Sequence, residues 1–127
     1  VSNAVDTRAG TEIKVLVVED EFFIADELRG NLTAAGFLVL GPASSNEDAL
    51  DLLEQERPDV AVLDVHLGEA TVNPVAAKLR QMNVPFVLTT ASPAHELASD
   101  PDLAGAVILP KPTDFGRLVE ILRNLAR

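Results

Sequence analysis

The chain has no cysteine, tryptophan or tyrosine, one methionine and only five phenylalanines among 127 residues. Without cysteine there can be no disulfide, no thiolate nucleophile and no sulfur-ligated metal, which suits a reducing compartment, and a cytoplasmic location is expected. Positive charge is also scarce. The 10 Lys and Arg face 20 Asp and Glu, for a formal charge of −10, and no basic cluster gathers the positives. That balance opposes contact with nucleic acid or an anionic membrane surface. Long apolar runs are missing too: the longest stretches are strand-sized, far short of a bilayer span, and no signal-peptide pattern opens the chain.

What is present is an aliphatic core. Hydrophobic residues make up 47% of the sequence, mostly Val, Leu and Ala, in a length that suits one domain. Residues 1–12 (VSNAVDTRAGTE) are small and polar. They are expected to lie outside the domain, disordered or, at Ser2-Asn3-Ala4, left over from cloning, with the folded unit over 13–127.

Five short apolar runs alternate with helical patterns: IKVLVV (13–18), FLVLGP (37–42), DVAVLDV (59–65), PFVLTT (85–90) and AVILP (106–110). The alternation predicts an α/β fold, a parallel sheet with helices on both faces. The first, third and fourth runs are nearly continuous in apolar residues, as strands buried on both faces are. The first helical pattern covers 22–35, with Phe23, Ile24, Ala25, Leu28, Leu32 and Ala35 at roughly helical spacing and Gly36 as its stop. Ser44-Ser45-Asn46-Glu47 supplies caps for the second helix, which ends before Pro58. Asn73-Pro74 reads as a cap and first-turn proline for the third. A fourth helix, SPAHELASDPDL (92–103), is the weakest, with two prolines after the first residue and little apolar surface. Thr113 and Asp114 open the last, whose Leu118, Ile121, Leu122 and Leu125 form an apolar stripe.

In such an open sheet the functional site lies at the carboxyl ends of the strands, where the strand order reverses. Those ends carry Glu19-Asp20-Glu21 after the first run, Asp64 after the third, Thr89-Thr90 after the fourth and Lys111-Pro112 after the fifth. Capping the first helix would need one acid, not three. Two carboxylates about 4 Å apart repel by roughly 4 kcal/mol at an effective dielectric near 20, and a divalent cation reverses the sign. Oxygen ligands alone favour Mg2+.

An acidic pair after strand one, an Asp ending strand three, a hydroxyl ending strand four and a Lys-Pro after strand five, all in order, resemble the receiver domains of two-component response regulators. The resemblance covers about residues 13–126. It implies a three-layer, doubly wound (βα)5 flavodoxin-like fold with strand order 2-1-3-4-5. It also implies a phosphorylation-dependent switch acting through protein contacts, not a turnover enzyme. Asp64 would accept the phosphoryl group from a histidine kinase or histidine phosphotransfer protein. Asp20 and Asp64 would ligate Mg2+ directly, Glu19 through water, and His66 through its backbone carbonyl. Lys111 would pair with a phosphoryl oxygen and Thr90 would donate its hydroxyl to another, Thr89 being the competitor for that role. A monomer or weak dimer is expected.

The chain departs from the pattern in places. The position three before the lysine, usually aromatic, is Ile108, and the proline usual shortly after the acceptor is replaced by LGEATVNP (67–74). DVHLGE, VPFVLTTAS and LPKP resemble a mostly single-domain branch whose strand-four signature reads Phe-Ala-Thr-Gly. A receiver excised from a hybrid kinase or longer regulator is the alternative. A Mg2+-dependent phosphohydrolase is a distant one, because it would want an acid at His66. A flavin or nucleotide binder would want a Gly- or Ser/Thr-rich phosphate cradle where the acids stand. His95 reads as a solvated surface residue.

Overall fold

Alternate residues of the central strands bury into opposite faces of one sheet, which is why these strands read as unbroken apolar runs. The structure, a computed structural model, describes residues 12–127, so the segment expected to be loose lies outside the described residues except for Glu12. The elements are β1 (Lys14–Val18), α1 (Phe22–Ala34), β2 (Leu38–Ala43), α2 (Asn46–Gln55), β3 (Val60–Asp64), β4 (His66–Leu67), β5 (Ala70–Thr71), α3 (Asn73–Gln81), β6 (Phe86–Thr90), β7 (Val107–Pro110) and α4 (Phe115–Leu125). Five strands form a parallel sheet in the order β2-β1-β3-β6-β7, while β4 and β5 make a separate antiparallel hairpin. Counted by the five apolar runs, this is the expected 2-1-3-4-5 order.

Leu16, Val18, Ala61, Leu63 and Leu88 pack on one side with Ala49 and Leu53 of α2 and Val75, Ala76 and Leu79 of α3. Val15, Val17, Val60, Val62, Val87 and Leu109 pack on the other with Leu28 and Leu32 of α1 and Leu118 and Leu122 of α4. Burying each of the Val and Leu side chains contributes on the order of 2 kcal/mol, and each Ala less. No helix among the described residues is long and apolar enough to cross a membrane.

The helix ends follow from local chemistry. Ser45 accepts from the Asp48 N–H and Asp114 from the Arg117 N–H, capping α2 and α4. α1 closes with bonds from Gly36 N–H to Thr33 O and from Phe37 N–H to Leu32 O, around Gly36 at φ 98°. Asn83, at φ 59°, ends α3 in the same way.

Three expectations need correction. The fourth helix does not form: residues 92–103 hold only a 3₁₀ turn at Ala94–Glu96, because Pro101 would interrupt the ladder and only Leu97 and Leu103 reach the core. Phe23 is not part of the buried face of α1, being 84% exposed, with Phe22 beside it at 74%. It stands two residues, about 200° of helical rotation, from the buried Ala25. Asn73 is the first helical residue of α3, not its cap; Val72 holds the cap position. The Asn73 amide donates instead to Asp100 Oδ2 (2.7 Å) and Asp102 Oδ2 (3.3 Å). Arg80 Nε and Nη2 donate to the carbonyls of Asp102 and Ala104. These bonds from α3 tie down the chain that replaces the helix.

Candidate functional site

Register brings the strand ends together. Val18 pairs with Leu63, so the next residues, Glu19 and Asp64, emerge side by side, and Asp64 pairs in turn with Thr89. Thr90 pairs with Pro110, and the Lys111 N–H donates to the Thr90 carbonyl at 3.0 Å. On the other flank, β2 bulges at Gly41 and rejoins β1 at Ala43, whose carbonyl accepts from the Glu19 N–H at 2.9 Å. Gly41 sits at φ 96°, and a Cβ there would lie 2.7 Å from Ala43 N and 3.0 Å from Val17 O. Only glycine fits that close approach. Gly41-Pro42 brings no acid, hydroxyl or lysine to the strand ends, yet this bulge fixes the backbone that carries Glu19.

Glu19, Asp20 and Asp64 each offer a carboxylate oxygen within 4.8 Å of the others. Glu19 and Asp64 are 2% and 5% exposed, while Asp20 lies at the more open rim. Lys111 Nζ donates to Asp64 Oδ2 at 3.2 Å and to Glu19 Oε1 at 3.3 Å. Asp64 Oδ1 accepts weakly from the His66 N–H at 3.3 Å, Glu19 Oε2 from the Glu21 N–H at 3.1 Å, and Asp20 Oδ2 from the Gly68 N–H at 2.8 Å.

Electrostatics follow from this crowding. Burial pushes the Glu19 carboxyl up to about 7, with the neighbouring Asp64 charge adding to the rise and the Glu21 N–H and Lys111 opposing it. Burial acts to lower the Lys111 ammonium, but the charges of Asp64 and Glu19 outweigh it and hold the group above its ordinary value. One cation among three acids leaves negative charge uncompensated. An all-oxygen donor set with that excess fits a hard divalent ion such as Mg2+.

The expected hydroxyls divide. Thr90 is buried, and its Oγ1 accepts from the Ser92 N–H at 3.0 Å, so its own hydrogen is free to donate elsewhere. Thr89 Oγ1 is turned back to the Leu63 carbonyl at 3.5 Å. The His66 ring is exposed, as expected, and its Nε2 lies 3.3 Å from Ser92 Oγ. His95 is exposed, and Ile108 is half-buried against the Leu88 side of the core.

Residues 15–123 match the response regulator receiver domain family. The chain is 36% identical over 116 residues to the sensory transduction protein LytT of Bacillus cereus, covering 88% of this chain and 46% of LytT. It is 32% identical over 118 residues to the response regulator MprA of Mycolicibacterium vanbaalenii, covering 91% of this chain and 51% of MprA. The chain therefore spans about half the length of these curated relatives. A response regulator receiver protein from Sinorhizobium medicae superposes with a TM-score of 0.80 at 27% identity, over 91% of this chain and 95% of that one. Matched by the family model over most of its length, the chain belongs to the response regulator receiver domain family of two-component signalling.

Proposed function

We propose that Asp64 accepts a phosphoryl group from a phosphohistidine on a histidine kinase or a histidine phosphotransfer protein, and that the altered pocket changes the protein's contacts with a downstream partner. The observation that carries this reading is the position of Lys111 Nζ, 3.2 Å from Asp64 Oδ2 and 3.3 Å from Glu19 Oε1, inside a cluster of three acids. An ammonium held beside the nucleophile supplies a fixed positive charge for the incoming phosphoryl oxygens.

In the transfer, an Asp64 carboxylate oxygen forms a bond to phosphorus as the phosphorus–nitrogen bond to the donor imidazole breaks, and the imidazole leaves with the electron pair. Thr90 donates its free hydroxyl hydrogen to one phosphoryl oxygen and Lys111 pairs with another. Asp20 and Asp64, Glu19 through water and the His66 backbone carbonyl would hold Mg2+, which would supply neutralisation of the phosphoryl charge. The exposed rings of Phe22 and Phe23 follow directly on the acidic turn, so a donor protein reaching Asp64 from that side would cover them. Output runs through Thr90, whose Oγ1 accepts from the Ser92 N–H, into residues 91–103, which are held by Leu97 and Leu103, by the bonds from Asn73 and Arg80 and by the His66–Ser92 contact.

The test is chemical mapping. Borohydride reduces an acyl phosphate to an alcohol, so protein treated with acetyl phosphate and Mg2+ should yield homoserine at position 64. Reduction at Glu19 or Asp20, or at no site, would refute the assignment. Hydrogen exchange with beryllofluoride and Mg2+ should change over 91–103; exchange that changes only elsewhere would refute the output route.

A further inference from the structure

The stretch LGEATVNP after Asp64, where the family pattern has a proline, contributes the tip and second strand of the β4–β5 hairpin. The hairpin is held at three points. Its base closes with the Val72 N–H on the Val65 carbonyl at 2.9 Å. Asn46 Nδ2 of α2 donates to the Thr71 carbonyl at 2.9 Å. The third bond runs from the Gly68 N–H, at the tip, to Asp20 Oδ2 at 2.8 Å, across 48 residues of sequence.

Asp20 is the acid that Lys111 does not touch. Lys111 donates to Glu19 and Asp64, and the Gly68 N–H makes the only hydrogen bond to the Asp20 carboxylate among the described residues. A bond from an N–H to a charged oxygen is among the stronger kinds, and it fixes the carboxylate's direction as well as its place. Gly68 reaches Asp20 from φ 62°, and a Cβ added there would meet nothing within 4 Å. The glycine is therefore needed for its backbone conformation and not for space, a distinction that substitutions can exploit.

We propose that the Gly68 backbone N–H is a positioning group for the cation site, holding Asp20 through Oδ2 and leaving Oδ1 to face the ion. The proposal rests on the reading of the three acids as a Mg2+ site. Because linkage is reciprocal, a hairpin that improves ion binding is itself stabilised by the ion to the same degree.

The experiment is a Mg2+ titration of the metal-free protein followed by amide NMR and hydrogen exchange, on the parent, Gly68→Asn and Gly68→Val. Both replacements keep the backbone N–H, but asparagine tolerates a positive φ and a β-branched valine does not. The Gly68 amide of the parent should exchange more slowly in Mg2+, with the same midpoint as the amides beside Glu19 and Asp64. Gly68→Val should weaken Mg2+ roughly tenfold or more, in line with losses seen when a ligand's supporting hydrogen bond is removed, while Gly68→Asn stays within about twofold. Saturation of the acidic site with an unchanged Gly68 amide, or a valine variant that binds like the parent, would overturn the proposal. A parent with no saturable response at any amide would overturn the Mg2+ reading and the proposal with it. Should Gly68→Val fail to fold, the exchange of the parent's Gly68 amide decides.

Discussion

Replacing Asp64 with Asn keeps the side chain's size and removes one charge from the cluster, and the structure fixes what that charge does. Carboxylate oxygens of Glu19, Asp20 and Asp64 lie within 4.8 Å of one another, so each charged pair repels by about 3.5 kcal/mol at an effective dielectric near 20. Lys111 Nζ, 3.2 Å from Asp64, returns about 5 kcal/mol on the same scale. With Glu19 ionised, the substitution relieves two repulsions and loses one attraction. With Glu19 protonated it relieves only the repulsion with Asp20, which solvent at the rim weakens, and still loses the attraction. Since Glu19 titrates at about 7, the effect should change sign near neutrality.

In chelator at pH 8.5, Asp64→Asn should stabilise the protein by about 1 to 2 kcal/mol, a rise of roughly 4 to 8 °C in Tm for a domain of this size. At pH 6 it should be neutral or destabilising. The parent carries its own signature. A carboxyl raised from 4.5 to about 7 by folding stays protonated where the unfolded chain has released its proton. Stability therefore falls as pH rises from about 4.5 to about 7 and then levels, by on the order of 3 kcal/mol if Glu19 acts alone. Asp64→Asn should flatten that slope, because the Asp64 charge contributes to the rise. Urea unfolding at both pH values measures all of this. A variant less stable at both, or shifted equally at both, would show that the acids do not share one field.

Three other outcomes are expected. Mg2+ at ten times its Kd should stabilise the parent by about 1.4 kcal/mol through binding the folded state, and Asp20→Ala should remove most of the gain in the same melting assay. Lys111→Met strands Glu19 and Asp64 without their counter-charge and should cost on the order of 2 kcal/mol in chelator, part of which Mg2+ restores, as urea unfolding with and without the ion would read. Asn73→Ala removes the amide that holds Asp100 and Asp102, so hydrogen exchange should quicken over 97–104 while the β1 and β3 amides stay protected.

The sheet and the site were legible in the sequence for one reason: strands covered on both faces must be continuously apolar, so a charged residue at their carboxyl ends stands out. Glu19, Asp64 and Lys111 were found by that contrast alone, and the structure brings both acids within hydrogen-bond reach of the Lys111 ammonium. What escaped depends on partners far away in the chain. Asn73 has the chemistry of a cap, but Asp100 and Asp102, brought beside it by the turn at 97–100, compete for its amide and win. Residues 92–103 lack the periodic apolar surface that would make a helix worth packing, and their attachment comes from Arg80 on another element. Gly41 and Gly68 were invisible as site residues because each acts through backbone alone, Gly41 by admitting a bulge and Gly68 by presenting an N–H to Asp20.

The most direct test of the central claim is intact mass after incubation with a small acyl-phosphate donor, with Mg2+ and with chelator, beside Asp64→Asn. One phosphoryl increment on the parent, dependent on the metal and absent from the variant, is the predicted result. An increment that persists in Asp64→Asn, or a parent left unmodified by the small donor and by phosphorylated histidine proteins alike, would contradict the account.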